Sequence, residues 1–155
     1  WFTFNRSSYD CRQQASYNNK PVCMKHTLVA PEDIDTIWNE VEGLIKRSSD
    51  DLLNYNDIYK LLREGTFLLW IITDDSNAVV TAMTLAFQKY PRDTSLRIVT
   101  CGGDRMKEWL NEFLDKIETF AKDRGCSYID IDGRSGWSKV LKDYTVEYYT
   151  LRKKL

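Results

Sequence analysis

The sequence has a single histidine, no apolar run long enough to cross a bilayer and no excess of either charge. One imidazole, His26, cannot supply the spaced ligands of a zinc site, and no serine or cysteine beside it sits in a nucleophile–base context. No metal is therefore expected. The longest apolar run, Phe67 to Ile72, falls well short of the ~18 residues of a spanning helix and reads as a buried strand. Net charge is −1, so bulk electrostatics favour neither nucleic acid nor an anionic membrane as partner. No charged-then-apolar leader is visible, which makes a cytoplasmic protein the expectation. There are four cysteines, but Cys101 and Cys126 fall at opposite ends of successive strands, ~15–20 Å apart, and are expected as free thiols. Cys11 and Cys23 could pair, though nothing demands it.

What is present is a 155-residue chain with 43% hydrophobic and 29% charged residues, enough for one domain with a real core. Its strongest signal runs from Thr94 to Asp132. Thr94 to Thr100 has strand composition, and Cys101-Gly-Gly-Asp104 reads as a tight turn into a helix. Met106, Trp109, Leu110, Phe113, Leu114, Ile117, Phe120 and Ala121 then form one helical stripe. Lys122 and Arg124 suit the carbonyl end of that helix, and Gly125 supplies the residue that stops it. Cys126 to Asp132 alternates again, with Ile129 and Ile131 opposite Tyr128, Asp130 and Asp132. Strand, long helix and strand make a βαβ crossover between parallel neighbours.

The remaining elements follow in order. Residues 1 to 23 mix Trp1, Phe2, Phe4 and Tyr9 with polar residues and show no sustained period. They read either as a tail or as an aromatic arm that docks on a partner. The folded domain is expected over residues 24–155. It opens with a strand at Lys25 to Val29, followed by a helix begun by Pro31 and striped by Ile34, Ile37, Trp38, Val41, Leu44 and Ile45. Ser48-Ser-Asp-Asp51 breaks it. A shorter helix runs from about Asn56 to Gly65, then strands at Phe67 to Thr73 and Ala78 to Tyr90 lead to Thr94, an antiparallel meander. After the crossover a short helix, Trp137 to Lys142, and a last strand, Val146 to Arg152, are expected. There are no repeats or low-complexity segments.

This order of elements, an α/β mixed sheet with helices on both faces, resembles the GCN5-related N-acetyltransferase (GNAT) fold over Met24 to Leu155. More specifically, Cys101-Gly-Gly-Asp, Trp109-Leu110, Ile117-Glu118, Ala121-Lys122, Gly125-Cys126 and Ile129-Asp-Ile-Asp-Gly-Arg134-Ser-Gly-Trp137 look like the small GNAT-like proteins of tailed bacteriophages. The resemblance implies acetyl-CoA in the splay between two central strands, with its pyrophosphate on amides at the start of the crossover helix. It also implies an amine acceptor that loses a proton before attack, and a departing thiolate that gains one. The family loop, Gln/Arg-x-x-Gly-x-Gly/Ala, places its first glycine at Gly102 but meets Asp104 and Met106 at the next two. Cofactor contacts are therefore expected from Cys101, Gly102, Gly103 and Arg105, the arginine by direct pairing with phosphate. The competing reading makes Gly102-Gly103 a turn and Asp104 a helix cap.

For the chemistry, Asp130 and Asp132 share a face at a strand's carboxyl end, where open α/β sheets bind ligands, and could act as a base or hold a cation beside Arg134. The position of the family's acidic tyrosine falls near Lys139, leaving Tyr144 as the candidate. Two functions follow from the resemblance. In the first, a GNAT-like, phage-encoded domain with a degenerate acetyl-CoA loop acts by binding protein, through Trp1, Phe2, Phe4 and Tyr9, in the host cytoplasm or the virion; other phage proteins are candidate partners. In the alternative, the domain is an acetyl-CoA-dependent N-acyltransferase acting on an amine.

Overall fold

A computed structural model of the chain describes residues 23–133 and 136–155. The arm residues Trp1, Phe2, Phe4 and Tyr9, and Arg134 in the loop after the crossover, lie outside them. Five strands form one sheet in sequence order: β1 (Lys25–Val29), β2 (Leu68–Thr73), β3 (Val79–Lys89), β4 (Thr94–Gly103) and β5 (Tyr128–Ile131). The first four pair antiparallel and β4 pairs with β5 in parallel, so the expected meander and crossover are both present. A short 3-10 turn at Pro31–Asp33 opens α1 (Ile34–Ser48), and α2 (Tyr55–Arg63) follows. The crossover helix is α3 (Met106–Asp123), and α4 (Trp137–Val140) is a single turn.

Strand alternation divides the core between two faces. Trp70, Ile72, Met83, Leu85, Leu96 and Ile98 face Trp109, Phe113, Ile117 and Phe120 of α3. Leu69, Ile71 and Ala82 face the other way, against Ile34, Val41 and Ile45 of α1 and Ile58 and Leu62 of α2. α2 begins in a reciprocal cap: Asn54 Oδ1 accepts from the amides of Asn56 and Asp57, while the Asp57 carboxylate accepts from the Asn54 amide. α3 stops at Gly125, whose φ of +73° is the left-handed conformation its sequence context called for.

Two expectations are corrected. Cys101-Gly102-Gly103 is not a turn: β4 continues through Gly103, with Gly102 opposite Ala82 and Gly103 opposite Thr81. Asp104 does not cap α3 either, because the N-cap is Arg105, in a left-handed conformation (φ 56°) with no side-chain cap bond. Second, Val146 to Arg152 forms no strand; its residues are irregular and exposed. The cysteine expectation holds, since Cys101 and Cys126 are both free thiols.

β4 also carries one extra residue. Thr84 is paired with Thr100 but Leu85 with Ile98, so Val99 is bulged out of the ladder. Side-chain parity flips there. Ile98 and Cys101 both pack on the α3 side, while Thr100 turns to the other face, its hydroxyl 2.7 Å from that of Thr84. The bulge falls level with the end of β5, where the two parallel strands stop pairing.

Candidate functional site

The parallel pairing covers only Ser95 to Ile98 of β4 and Tyr128 to Ile131 of β5, closed by a last bond from the Asp132 amide to the Ile98 carbonyl, 3.4 Å. Beyond it β4 runs on for five residues with no neighbour on that side, and a cleft of about 590 Å³ opens in the gap. Its β4 wall is Ile98 to Gly103; its β5 wall is Ile131, Asp132 and Gly133, with Trp137 of α4 behind them. The C-terminus of α1 and the residues after it, Arg47 to Asp50, form the remaining side.

The free edge of β4 carries backbone hydrogen-bonding groups into this cleft. The Asp104 amide donates to the Val80 carbonyl at 3.1 Å, which fixes the phase of the antiparallel ladder. Gly102 then bonds to β3, and Cys101 and Gly103 turn their amides and carbonyls toward the cleft. Three residues past Gly103, outside the lining itself, the first turn of α3 begins. Without a side-chain cap, the amides of Met106 and Lys107 have no acceptor among the described residues, and the helix dipole gives them partial positive charge. The Asp104 carbonyl is already engaged by Trp109 Nε1 at 2.8 Å, which pins this end of the helix to the strand.

Of the residues expected at a cofactor, Cys101, Gly102 and Gly103 line the cleft and Arg105 does not. The Arg105 guanidinium is committed to Asp74 (3.0 Å) and Glu108 (2.6 Å), tying the β2–β3 turn to α3. Nor do the two glycines open space for a phosphate. A Cβ on Gly102 would lie 2.0 Å from the Leu44 carbonyl oxygen, and one on Gly103 2.4 Å from Thr81 Oγ1. Glycine is required so that α1 and β3 can approach β4 closely. Burial pushes the Cys101 thiol up to about 12, so it is a neutral wall residue rather than a nucleophile.

Of the expected catalytic groups only Asp132 reaches the cleft. It is exposed, with Oδ2 3.5 Å from Arg97 Nη1. Asp130 stands lower on β5, accepting a 2.6 Å bond from Ser95 Oγ. Tyr144 lies away from the lining, its buried hydroxyl without a hydrogen-bond partner and its ionisation pushed up to about 12 by burial and by Glu118. Among the described residues no group of three or more histidines, cysteines or carboxylates is placed to hold a metal.

The sequence reading missed Arg47, Ser48, Ser49 and Asp50. Both serine hydroxyls bond back to α1, Ser48 to the Leu44 and Ile45 carbonyls and Ser49 to that of Lys46. Asp50 Oδ1 accepts from the amides of Leu52 and Leu53, and Arg47 reaches Asp104 at 3.4 Å. The segment was legible only as a helix stop.

No protein-family model matches the sequence, and no curated protein matches it significantly. Solved structures do match. A GCN5-related N-acetyltransferase from Ralstonia eutropha superposes with a TM-score of 0.63 at 12% identity, over 86% of this chain and 99% of that one. An aminoglycoside acetyltransferase from an uncultured soil metagenomic sample gives 0.65 at 11%, over 86% and 97%. The aminoglycoside N-acetyltransferase AAC(6')-Iy, solved in complex with CoA, gives 0.63 at 13%, also over 86% and 97%. The fold is that of the GCN5-related N-acetyltransferases. At these identities the likeness establishes a GNAT-like domain and nothing about its substrate. Among the described residues no helix is long and apolar enough to cross a membrane.

Proposed function

We propose that the domain is an acyl-CoA-dependent N-acyltransferase whose donor lies in the cleft between β4 and β5. The observation that carries this reading is the cleft itself: a free strand edge opens on one wedge, and the strand that supplies it leads within three residues to an uncapped helix N-terminus. Together they offer strand-type hydrogen bonds to an extended amide-bearing chain and partial positive charge to phosphates. Arg47 adds a cation near that mouth.

Acetyl-CoA supplies an activated thioester carbonyl. The chain's own residues must hold that group and manage protons. The Cys101 and Gly103 backbone would bond the pantetheine amides, and the Met106 and Lys107 amides would receive the pyrophosphate. Asp132 would take a proton from the acceptor ammonium, freeing the lone pair that attacks the thioester carbonyl. As the new C–N bond forms the C–S bond breaks; the acylated nitrogen gives its remaining extra proton to solvent, and the departing thiolate takes one from solvent. The test is calorimetric titration with acetyl-CoA, followed by thiol release against a panel of primary amines. Micromolar binding is expected, and Asp132→Asn should lower turnover ~10²–10⁴-fold with little change in donor affinity. Turnover unchanged in that variant would remove Asp132 from the mechanism.

A second reading is favoured by one set of observations: Gly102 and Gly103 serve packing, and the Arg105 guanidinium is engaged elsewhere. A GNAT-like scaffold without donor binding would work by docking a protein, with Trp1, Phe2, Phe4 and Tyr9 as its contacts. The attribution to a bacteriophage, and a place in the virion or the host cytoplasm, rest on sequence resemblance alone. No heat and no thermal stabilisation at millimolar acetyl-CoA would leave this reading standing and end the first.

A further inference from the structure

The two ends of the cleft differ in chemistry. Toward α1 it is polar, lined by Arg47 to Asp50, whereas at its narrow apex Ile98 and Val99 face Ile131, with Trp137 as the back wall. The indole is half-buried. A Cβ on Gly133 would lie 2.4 Å from Trp137 Cδ1 and 3.2 Å from Cγ, so the five-membered ring rests against backbone that only a glycine leaves bare.

We propose that Trp137, seated by Gly133, sets the length of the acyl group the cleft accepts and favours a short one. The inference rests on the acyl-CoA reading above. A donor with its phosphates at the first turn of α3 and its arm along the free edge of β4 passes Gly103 and Cys101. Five residues of strand, ~16 Å, bring it to the apex where β4 and β5 part. The acyl carbons then point into the apolar recess that the indole closes. An aromatic ring resting on backbone cannot retreat in that direction, so added methylenes meet it as a wall. Pockets of this kind discriminate chain length by ~10–200-fold. Trp137 is here a specificity-determining residue and Gly133 a positioning residue acting through it.

The experiment measures dissociation constants of acetyl-, butyryl- and hexanoyl-CoA by calorimetry for the wild type, Trp137→Ala, Trp137→Phe and Gly133→Ala, each checked for folding by near-UV circular dichroism. The wild type should bind hexanoyl-CoA at least ~10-fold more weakly than acetyl-CoA. Trp137→Ala should abolish that gap and Trp137→Phe should narrow it. Gly133→Ala, which keeps the indole but pushes it off its seat, away from Gly133 and across the recess, should widen it. If Trp137→Ala does not fold, the opposite shifts in the other two variants carry the test. A wild type that binds acetyl-CoA while the hexanoyl-to-acetyl ratio stays the same in every folded variant overturns the role of Trp137 alone. A wild type that binds none of the three overturns the acyl-CoA reading, and this inference with it.

Discussion

Gly102 shows how one position can be occupied by the expected residue for an unexpected reason. Sequence reading offered a phosphate contact or a turn as the reason for its missing side chain; the structure assigns it to the α1 backbone, 2.0 Å from where a Cβ would stand. Gly102→Ala should therefore destabilise the fold by ~2–4 kcal/mol in denaturant titration, whether or not acetyl-CoA is present, because backbone on both sides must move. A loss of ligand affinity at unchanged stability would return the residue to the cofactor. His26 makes a second residue-scale prediction. Its ring is buried under α3, accepting from Trp70 Nε1 at 3.4 Å, with Glu112 3.8 Å away. Burial, and then the charge of Lys116, lower its ionisation from 6.5 to about 4. In the native state it stays neutral while the unfolded chain takes up a proton, so stability is full above pH 6.5 and falls as pH drops toward 4, levelling below that. The loss is of order 1–3 kcal/mol. His26→Gln should flatten that part of the pH–stability curve; an unchanged slope would assign it to other groups.

At the scale of elements, what the sequence disclosed depended on how local the cause was. The α3 stripe from Met106 to Ala121 was readable because helical period is written in consecutive residues, and Trp109, Phe113, Ile117 and Phe120 are indeed its buried face. The end of β4 was not readable. Cys-Gly-Gly has the composition of a turn, and only contacts with Leu44 and Thr81, distant in sequence, explain two glycines inside a strand. The Val99 bulge is equally silent, since it exists only as a mismatch of register with β3. Val146 to Arg152 failed for the opposite reason: strand propensity is present, but propensity without a pairing partner forms no strand. For the candidate site, Cys101, Gly102, Gly103 and Asp132 were named from the sequence and line the cleft, whereas the α1 wall depends on a helix ending level with a strand some fifty residues later. The α2 cap is local again and its energy can be tested alone. Asn54→Ala should cost ~1 kcal/mol of stability by thermal unfolding, with no effect on ligand binding; a change in acetyl-CoA affinity would mean that α2 communicates with the cleft.

For the molecule as a whole, the decisive property is that the strands lie in the sheet in the order in which they occur in the chain. The hairpins β2–β3 and β3–β4 close over short turns, whereas β5 reaches β4 only after α3 has formed and folded back. The joint between β4 and β5 is also the shortest, with four paired residues, and it is the one that borders the cleft. Loop-closure entropy makes such a joint late to form and early to open. Donor binding should then appear as kinetic protection: saturating acetyl-CoA should slow hydrogen exchange most at β5 and at the Cys101 and Gly103 amides, and less at the β2–β3 pair. Uniform slowing across the sheet would mean that the joint does not open by itself. A chain paused before Tyr128 would already hold its meander and α1, yet it would lack the β5 wall of the cleft. The capacity to bind a donor would thus arrive at a single late event in folding, making acetyl-CoA binding a readout of whether the last strand has docked.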